Sequence, residues 1–177
     1  MNFFIEELPV VSTTENGIES IHIRTRRPSI DSLISTVTSM SSKSQHYEFF
    51  NITKTDESST DEQQTPIHAK LCRLRQSKNY DGYGLVLKFQ QHLHVIGEVE
   101  RESPSYRAGL RENDVILFVG KSNVEKLTHD DVIVMIRAMT LASKKVDLTV
   151  LRKVEIPKYK TLQQKGLIDW SVMGLEK

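Results

Sequence analysis

The sequence predicts a mostly β domain with two helices over residues 67–152, between a Ser/Thr-rich segment and a basic one. Three observations carry this. Leu85, Leu87 and Phe89 alternate with Val86 and Lys88, and Val146, Leu148 and Val150 alternate with Asp147 and Thr149; a period of two is the signature of a strand with one face buried. Val115-Ile116-Leu117-Phe118-Val119 is a short apolar run between turn signals, which suits a strand buried on both faces. A single long helical pattern follows Thr128.

Order is expected from about Ile67. Leu71-Cys72-Arg73-Leu74-Arg75 reads as a first strand and Ser77 to Gly82 as a loop. The strand from Leu85 to Phe89 comes next, Gln90 to Leu93 turns the chain, and His94 to Val99 forms a further strand. Ser103 stands as N-cap of a very short helix, with Pro104 at its first position and Gly109 just past its end. A turn at Arg111-Glu112-Asn113 leads into the apolar run, and Ser122 to Glu125 is a short polar strand.

The long helix runs from His129 to about Met139. Thr128 is its N-cap, Asp131 stands three residues on, and Asp130 and Asp131 put negative charge in the first turn. Its apolar arc is too wide for one contact surface. Val132, Met135 and Met139 make a stripe for the core, while His129, Ile133 and Ile136 make a second stripe that can line a groove. Val146 to Val150 is the last strand.

The flanks differ in composition. Residues 1–66 hold 20 Ser and Thr, with 5 basic and 10 acidic residues, and lack helical or strand period; they are expected to be a disordered tail. Arg24, Arg26 and Arg27 ahead of Ser29 resemble a site for a basophilic kinase, where a phosphate would sharply change local charge. Residues 153–177 are expected to be a basic, flexible tail with scattered apolar residues. Formal net charge is only +1, which gives no global electrostatic case for nucleic acid. The single cysteine, Cys72, excludes an intrachain disulfide and suits a reducing compartment. No apolar run approaches the ~20 residues of a membrane helix, and the acidic opening does not read as a signal peptide. A cytoplasmic protein is expected, with the inner face of the plasma membrane as a peripheral location.

The stretch with most chemistry is Asp81-Gly82-Tyr83-Gly84-Leu85. Two glycines around an aromatic permit a tight turn whose backbone N–H groups point inward, a concavity that holds an anion. The strand leaving it would offer an unpaired edge to another peptide. A polypeptide with a free C-terminus supplies a partner for both.

From Lys70 to Arg152 the sequence resembles a PDZ domain. The resemblance rests on four elements in order: Gly-Tyr-Gly-Leu at 82–85, Ser-Pro-Ser-Tyr-Arg-Ala-Gly-Leu at 103–110, Asn-Asp-Val-Ile-Leu at 113–117 and Leu-Thr-His-Asp-Asp-Val at 127–132. Within the family it is most similar to the modules of sodium–proton exchanger regulatory-factor scaffolds. The resemblance implies a partly open barrel or sandwich of five to six strands, capped by one short and one long helix. It implies that the amides of Tyr83, Gly84 and Leu85 bind a ligand carboxylate, helped through water by Lys78, with Arg75 as the substitute. Leu85, Leu87, Ile133 and Ile136 would form the pocket for the last side chain, with Tyr83 at its rim. His129 would hydrogen-bond a hydroxyl two residues before the ligand's end, selecting Ser/Thr-any-aliphatic tails. Lys88 would set a charge preference further upstream. Burial of one aliphatic side chain at roughly 1.5–3 kcal/mol and a few hydrogen bonds at ~1 kcal/mol each, against an ordering cost of roughly 2–5 kcal/mol, suggest affinities around micromolar. The implied role is an adaptor for the tails of other proteins, membrane receptors, channels and transporters among them.

Other chemistries fare worse. Leu87 stands where a dinucleotide fingerprint needs its third glycine. His92 and His94 have no Cys, Asp or Glu at ligand spacing, and His129 with Asp130 and Asp131 lacks a nucleophile. No cofactor, metal or enzymatic activity is expected. A lipid surface is the alternative partner: Lys144, Lys145, Arg152, Lys153, Lys158 and Lys160 could meet anionic headgroups, at roughly 1 kcal/mol each.

Overall fold

The computed structural model describes residues 11–13, 19–22, 46–54 and 65–175. The described strands are β1 (Val11–Thr13), β2 (Glu19–His22), β3 (Tyr47–Asn51), β4 (His68–Arg75), β5 (Leu85–Gln90), β6 (Leu93–Val99), β7 (Asp114–Val119), β8 (Ser122–Asn123) and β9 (Lys145–Arg152). They form one antiparallel sheet in the order β1-β2-β5-β6-β7-β9-β4-β3, with β8 paired to β7. The helices are α1 (Pro104–Arg107), α2 (His129–Ser143) and α3 (Ile156–Gln164).

The expected elements between 67 and 152 form where the sequence places them. Ser103 caps α1 by accepting from the Tyr106 N–H at 3.0 Å. Thr128 and Asp131 close a reciprocal capping box on α2, so two otherwise unsatisfied amides find partners. The helix runs one turn beyond Met139 and ends at Lys144, a left-handed residue whose N–H returns to the Thr140 carbonyl. Gln91 and His92, at φ 50° and 61°, make the two-residue connection between β5 and β6; both central residues are left-handed, which matches the twist of the strands they join.

Strand β7 divides two cores. Ile116 and Val119 join Leu87, Ile96, Leu148, Val132 and Ile136 in the first. Val115, Leu117 and Phe118 face the second, with Val95 and Leu151. A shift of register against β9 between Ile116 and Phe118 puts two consecutive side chains into the second core. Cys72 lies fully buried in the first, and that burial pushes its thiol up to about 12, against the smaller opposing effect of the Lys70 charge.

Three expectations need correction. The basic segment after Arg152 is not a flexible tail. It forms a 3₁₀ turn (Lys153–Glu155), α3 and a second 3₁₀ turn (Ser171–Met173). Ile156, Tyr159, Leu162, Ile168 and Trp170 are buried in the second core. Scattered apolar residues suffice here because each meets the outer face of the sheet. Second, the segment before Ile67 contributes β3, which pairs with β4, and Ile52, which is fully buried. The Ile52 carbonyl accepts from the Asp169 N–H at 2.9 Å and the Lys54 N–H donates to the Leu167 carbonyl at 2.9 Å, so both flanks close over the same face. The described sheet has nine strands: β4 to β9 are the six expected between 67 and 152, β1 to β3 add to them, and the ordered unit extends past both 67 and 152. Third, β2 also lies in the segment expected to be disordered, and it pairs with β5. Ser29 falls outside the described residues.

Candidate functional site: the glycine loop and the groove beside it

The loop from Gly82 to Gly84 is built to present amides. Gly82 and Gly84 sit at φ 75° and 68°, a backbone region that glycine enters without strain. The Tyr83 carbonyl accepts from the Ser105 N–H at 3.0 Å, and the Gly84 carbonyl from the Glu100 N–H at 2.9 Å. Helix α1 and the residue after β6 thus hold both carbonyls in hydrogen bonds. No backbone carbonyl of the described residues takes the Tyr83 or Gly84 N–H in a loop or turn bond. A side chain at Gly84 would overlap the Tyr80 hydroxyl and the Ser103 Cβ, so its neighbours leave the loop no room for one.

Leu85 and Leu87 leave this loop on β5, and Ile133 and Ile136 face them from α2; all four belong to one core cluster and are at most 3 % exposed. His129, also 3 % exposed, begins the helix. The sequence-derived pocket residues are thus brought together, and they are covered. Tyr83 is not a rim residue. It is 1 % exposed and packs in the same cluster, where burial raises its phenol above the usual value. Lys78 and Arg75 are exposed, at the turn before the loop and at the end of β4. Lys88 lays its alkyl chain over Gly97.

Sequence reasoning missed the aromatic environment of His129. Its ring lies parallel to that of His94 at 6.0 Å and tilted to Phe89 at 5.9 Å. The His94 Nε2 donates to the Leu127 carbonyl at 3.2 Å. Burial lowers the His94 pKa, the bond to Leu127 opposes this, and the neighbouring His129 lowers it further. The signal in the sequence was the alternation of Phe89 with the strand face and His94 one hairpin away, visible only once the two-residue turn fixes their register. Beside this stack, Phe89, His92, Leu127 and His129 line an open depression of about 320 Å³.

The edge of β5 is where expectation and structure part. The sequence reading left that edge unpaired; in the fold β2 occupies it, with Glu19 opposite Phe89, Ser20 opposite Lys88, Ile21 opposite Leu87 and His22 opposite Val86. The basic residues considered for a lipid surface are also divided. Lys144 and Lys145 precede β9 or begin it, while Arg152 and Lys153 stand at its other end, about 23 Å away for a strand of that length. Lys158 donates to the Thr65 carbonyl and hydroxyl. No helix among the described residues is long and apolar enough to cross a membrane.

Residues 73–151 match the family model for the PDZ domain. That match covers β4 to β9 apart from the first residues of β4 and the last of β9, together with the glycine loop, α1 and α2, and it leaves out β1 to β3 and the C-terminal helix. PDZ domains are non-enzymatic protein-interaction modules that bind C-terminal peptides. The sheet order, the glycine loop with its carbonyls tied back and the long helix beside β5 agree with this match, and residues 73–151 are the part of the chain that is similar to the PDZ domain family.

Proposed function

We propose that this protein is an adaptor that captures the free C-termini of partner proteins ending in Ser/Thr-any-aliphatic. The observation that carries the reading is the loop at 82–85, whose carbonyls bond to Ser105 and Glu100 and whose amides are left for an anion. The Tyr83, Gly84 and Leu85 N–H groups bind the terminal carboxylate, with Lys78 contributing long-range attraction. The last aliphatic side chain enters between Leu85 and Leu87 on one side and Ile133 and Ile136 on the other. His129 accepts from or donates to the hydroxyl of the third-last residue, and an apolar side chain there would leave a ring nitrogen unpaired at roughly 1–3 kcal/mol.

Fluorescence anisotropy with a peptide ending Thr-any-Leu tests this. The free acid should bind with a Kd around micromolar, and the same peptide with an amidated end at least tenfold more weakly. Equal affinities would refute the carboxylate role. Replacing Thr by Val should weaken binding by about 5–150-fold, as loss of a paired polar group implies.

A further inference from the structure

We propose that residues 19–22 are the groove's own occupant, an internal segment that an incoming C-terminus must displace. This rests on the reading of the groove given above. Strand β5 has two edges. One is paired with β6 from Leu85↔Val99 to Gln90↔Leu93, so the other is the only one a peptide can join, and β2 takes it over Val86–Phe89.

The direction is also that of a ligand. A tail whose carboxylate sits on the amides of 83–85 and whose backbone continues along β5 must run from the Phe89 end toward the loop. Strand β2 does so, because Glu19 stands opposite Phe89 and His22 opposite Val86 in an antiparallel pair. The pocket lining agrees, since Leu85, Leu87, Ile133, Ile136 and His129 are each at most 3 % exposed and the groove floor is therefore covered. His129 has a partner in this state.

One difference makes the occupant displaceable. The chain continues past His22 into Ile23 and Arg24, so this segment brings no terminal carboxylate to the loop. It matches a ligand in backbone hydrogen bonds and lacks the charge-assisted ones, which are the stronger kind. Its advantage is tethering, which sets a high effective concentration without any new contact. The groove therefore answers only to tails that bind well enough to overcome this internal competitor. Strand β2 is itself held from behind by β1, with Val11 opposite Ile21 and Thr13 opposite Glu19. The competitor is thus a hairpin, which presents a more ordered strand than a single segment would.

The test uses the full chain and the variant Ile21→Pro. Strand β2 lies between β1 and β5, so a proline within it removes a ladder hydrogen bond whichever way the amide points. Hydrogen exchange is followed over Leu85–Gln90 without any peptide. In the wild type the β5 amides facing away from β6 should be protected, and in Ile21→Pro they should exchange at least tenfold faster, while those bonded to β6 stay slow and report an intact fold. Should Ile21→Pro fail to fold, His22→Pro makes the same removal at the neighbouring position. Unchanged exchange at the outward amides would overturn the inference whatever any peptide does. Binding of the Thr-any-Leu acid is then compared, and the variant should bind about tenfold more tightly if the open state is roughly a tenth of the wild-type population. Faster exchange with unchanged affinity for the free acid would overturn the competition. Faster exchange with no preference for free acid over amide in either protein would locate the failure in the C-terminal reading instead, and the competition would fall with it.

Discussion

The imidazole rings of His94 and His129 lie within 9° of parallel, 6.0 Å apart, with Phe89 packed against both. His94 is 1 % exposed, and its pKa is lowered from 6.5 chiefly by burial. The unfolded chain therefore takes up this proton first. Stability is fully present above pH about 6.5 and falls as pH drops below it toward the folded-state pKa. The groups that act on the ring are His129, Phe89 and the backbone of Leu127 and Val124, and none of these is a carboxylate that would reverse the sign. Urea midpoints measured between pH 5 and 7.5 should decline on the acid side in the wild type. In His94→Gln, which can still donate to Leu127, the decline should be shallower. Identical pH profiles for the two proteins would remove His94 from the account.

Gly84 separates the loop's shape from its chemistry. With φ at 68° and the Tyr80 hydroxyl and Ser103 Cβ in the way of a methyl, Gly84→Ala should lower stability by roughly 1–3 kcal/mol through strain and local repacking. It should also weaken binding of a free-acid peptide by more than tenfold, because the amide pair no longer converges. A well-folded Gly84→Ala that binds like wild type would show that the loop amides do not hold the carboxylate.

The elements between Ile67 and Arg152 were legible because each had a local cause: a period of two along β5 and β9, a capping box at Thr128, a Ser-Pro start at Ser103. The glycine loop was legible for the same reason. What was not legible depended on long-range partners. Tyr159 and Trp170 look isolated in a Lys-rich segment, and only the outer face of β7 and β9, which they cover, makes them core residues. Glu48 and Tyr47 sit in a polar stretch, yet Glu48 forms a two-point pair with Arg73 at 2.9 and 3.2 Å and the Tyr47 ring covers Gly109. Strand β2 has four residues and no alternation that stands out from its surroundings. Its place is set by the edge it fills.

Asp114 and Lys70 make a buried ion pair that the sequence did not announce. The Lys70 Nζ donates to the Asp114 Oδ2 at 2.6 Å and to the Gly109 carbonyl at 2.8 Å, and the same Asp114 oxygen accepts from the Arg111 N–H at 3.0 Å. With both side chains at 10 % exposure or less, removing one leaves the other charge buried and alone. Asp114→Ala should therefore lower stability by about 3–5 kcal/mol. Lys70→Met, which keeps most of the stem, also leaves the carboxylate unpaired and should be destabilising, while Lys70→Met with Asp114→Leu should recover much of the loss. Absence of that recovery in a double-mutant cycle by urea denaturation would mean that the pair's backbone bonds, rather than its charges, set the effect.

The C-terminal segment makes the sharpest prediction about what the domain needs in order to fold. Trp170 is 3 % exposed and meets Phe118 edge-on at 4.8 Å and Tyr159 at 5.9 Å. Tyr159 is fully buried, and its hydroxyl donates to Glu125 at 3.0 Å, with Gln163 donating to both at 3.2 and 2.9 Å. Burial and the adjacent Glu125 carboxylate raise its pKa, so the phenol stays protonated and keeps donating across the ordinary pH range. Trp170→Ala removes a large side chain from the second core and should lower stability by about 3–5 kcal/mol. Tyr159→Phe leaves the Glu125 oxygen short of one donor and should cost about 1 kcal/mol. Val154→Ser, at a residue 82 % exposed, should stay within about 0.5 kcal/mol of wild type and serves as the control. A chain ending at Arg152 keeps every residue of the family match but uncovers Val95, Val115, Leu117 and Phe118, and it should be aggregated or unfolded. If that shortened chain melts as the full one does, the segment after Arg152 rests on the sheet without supporting it.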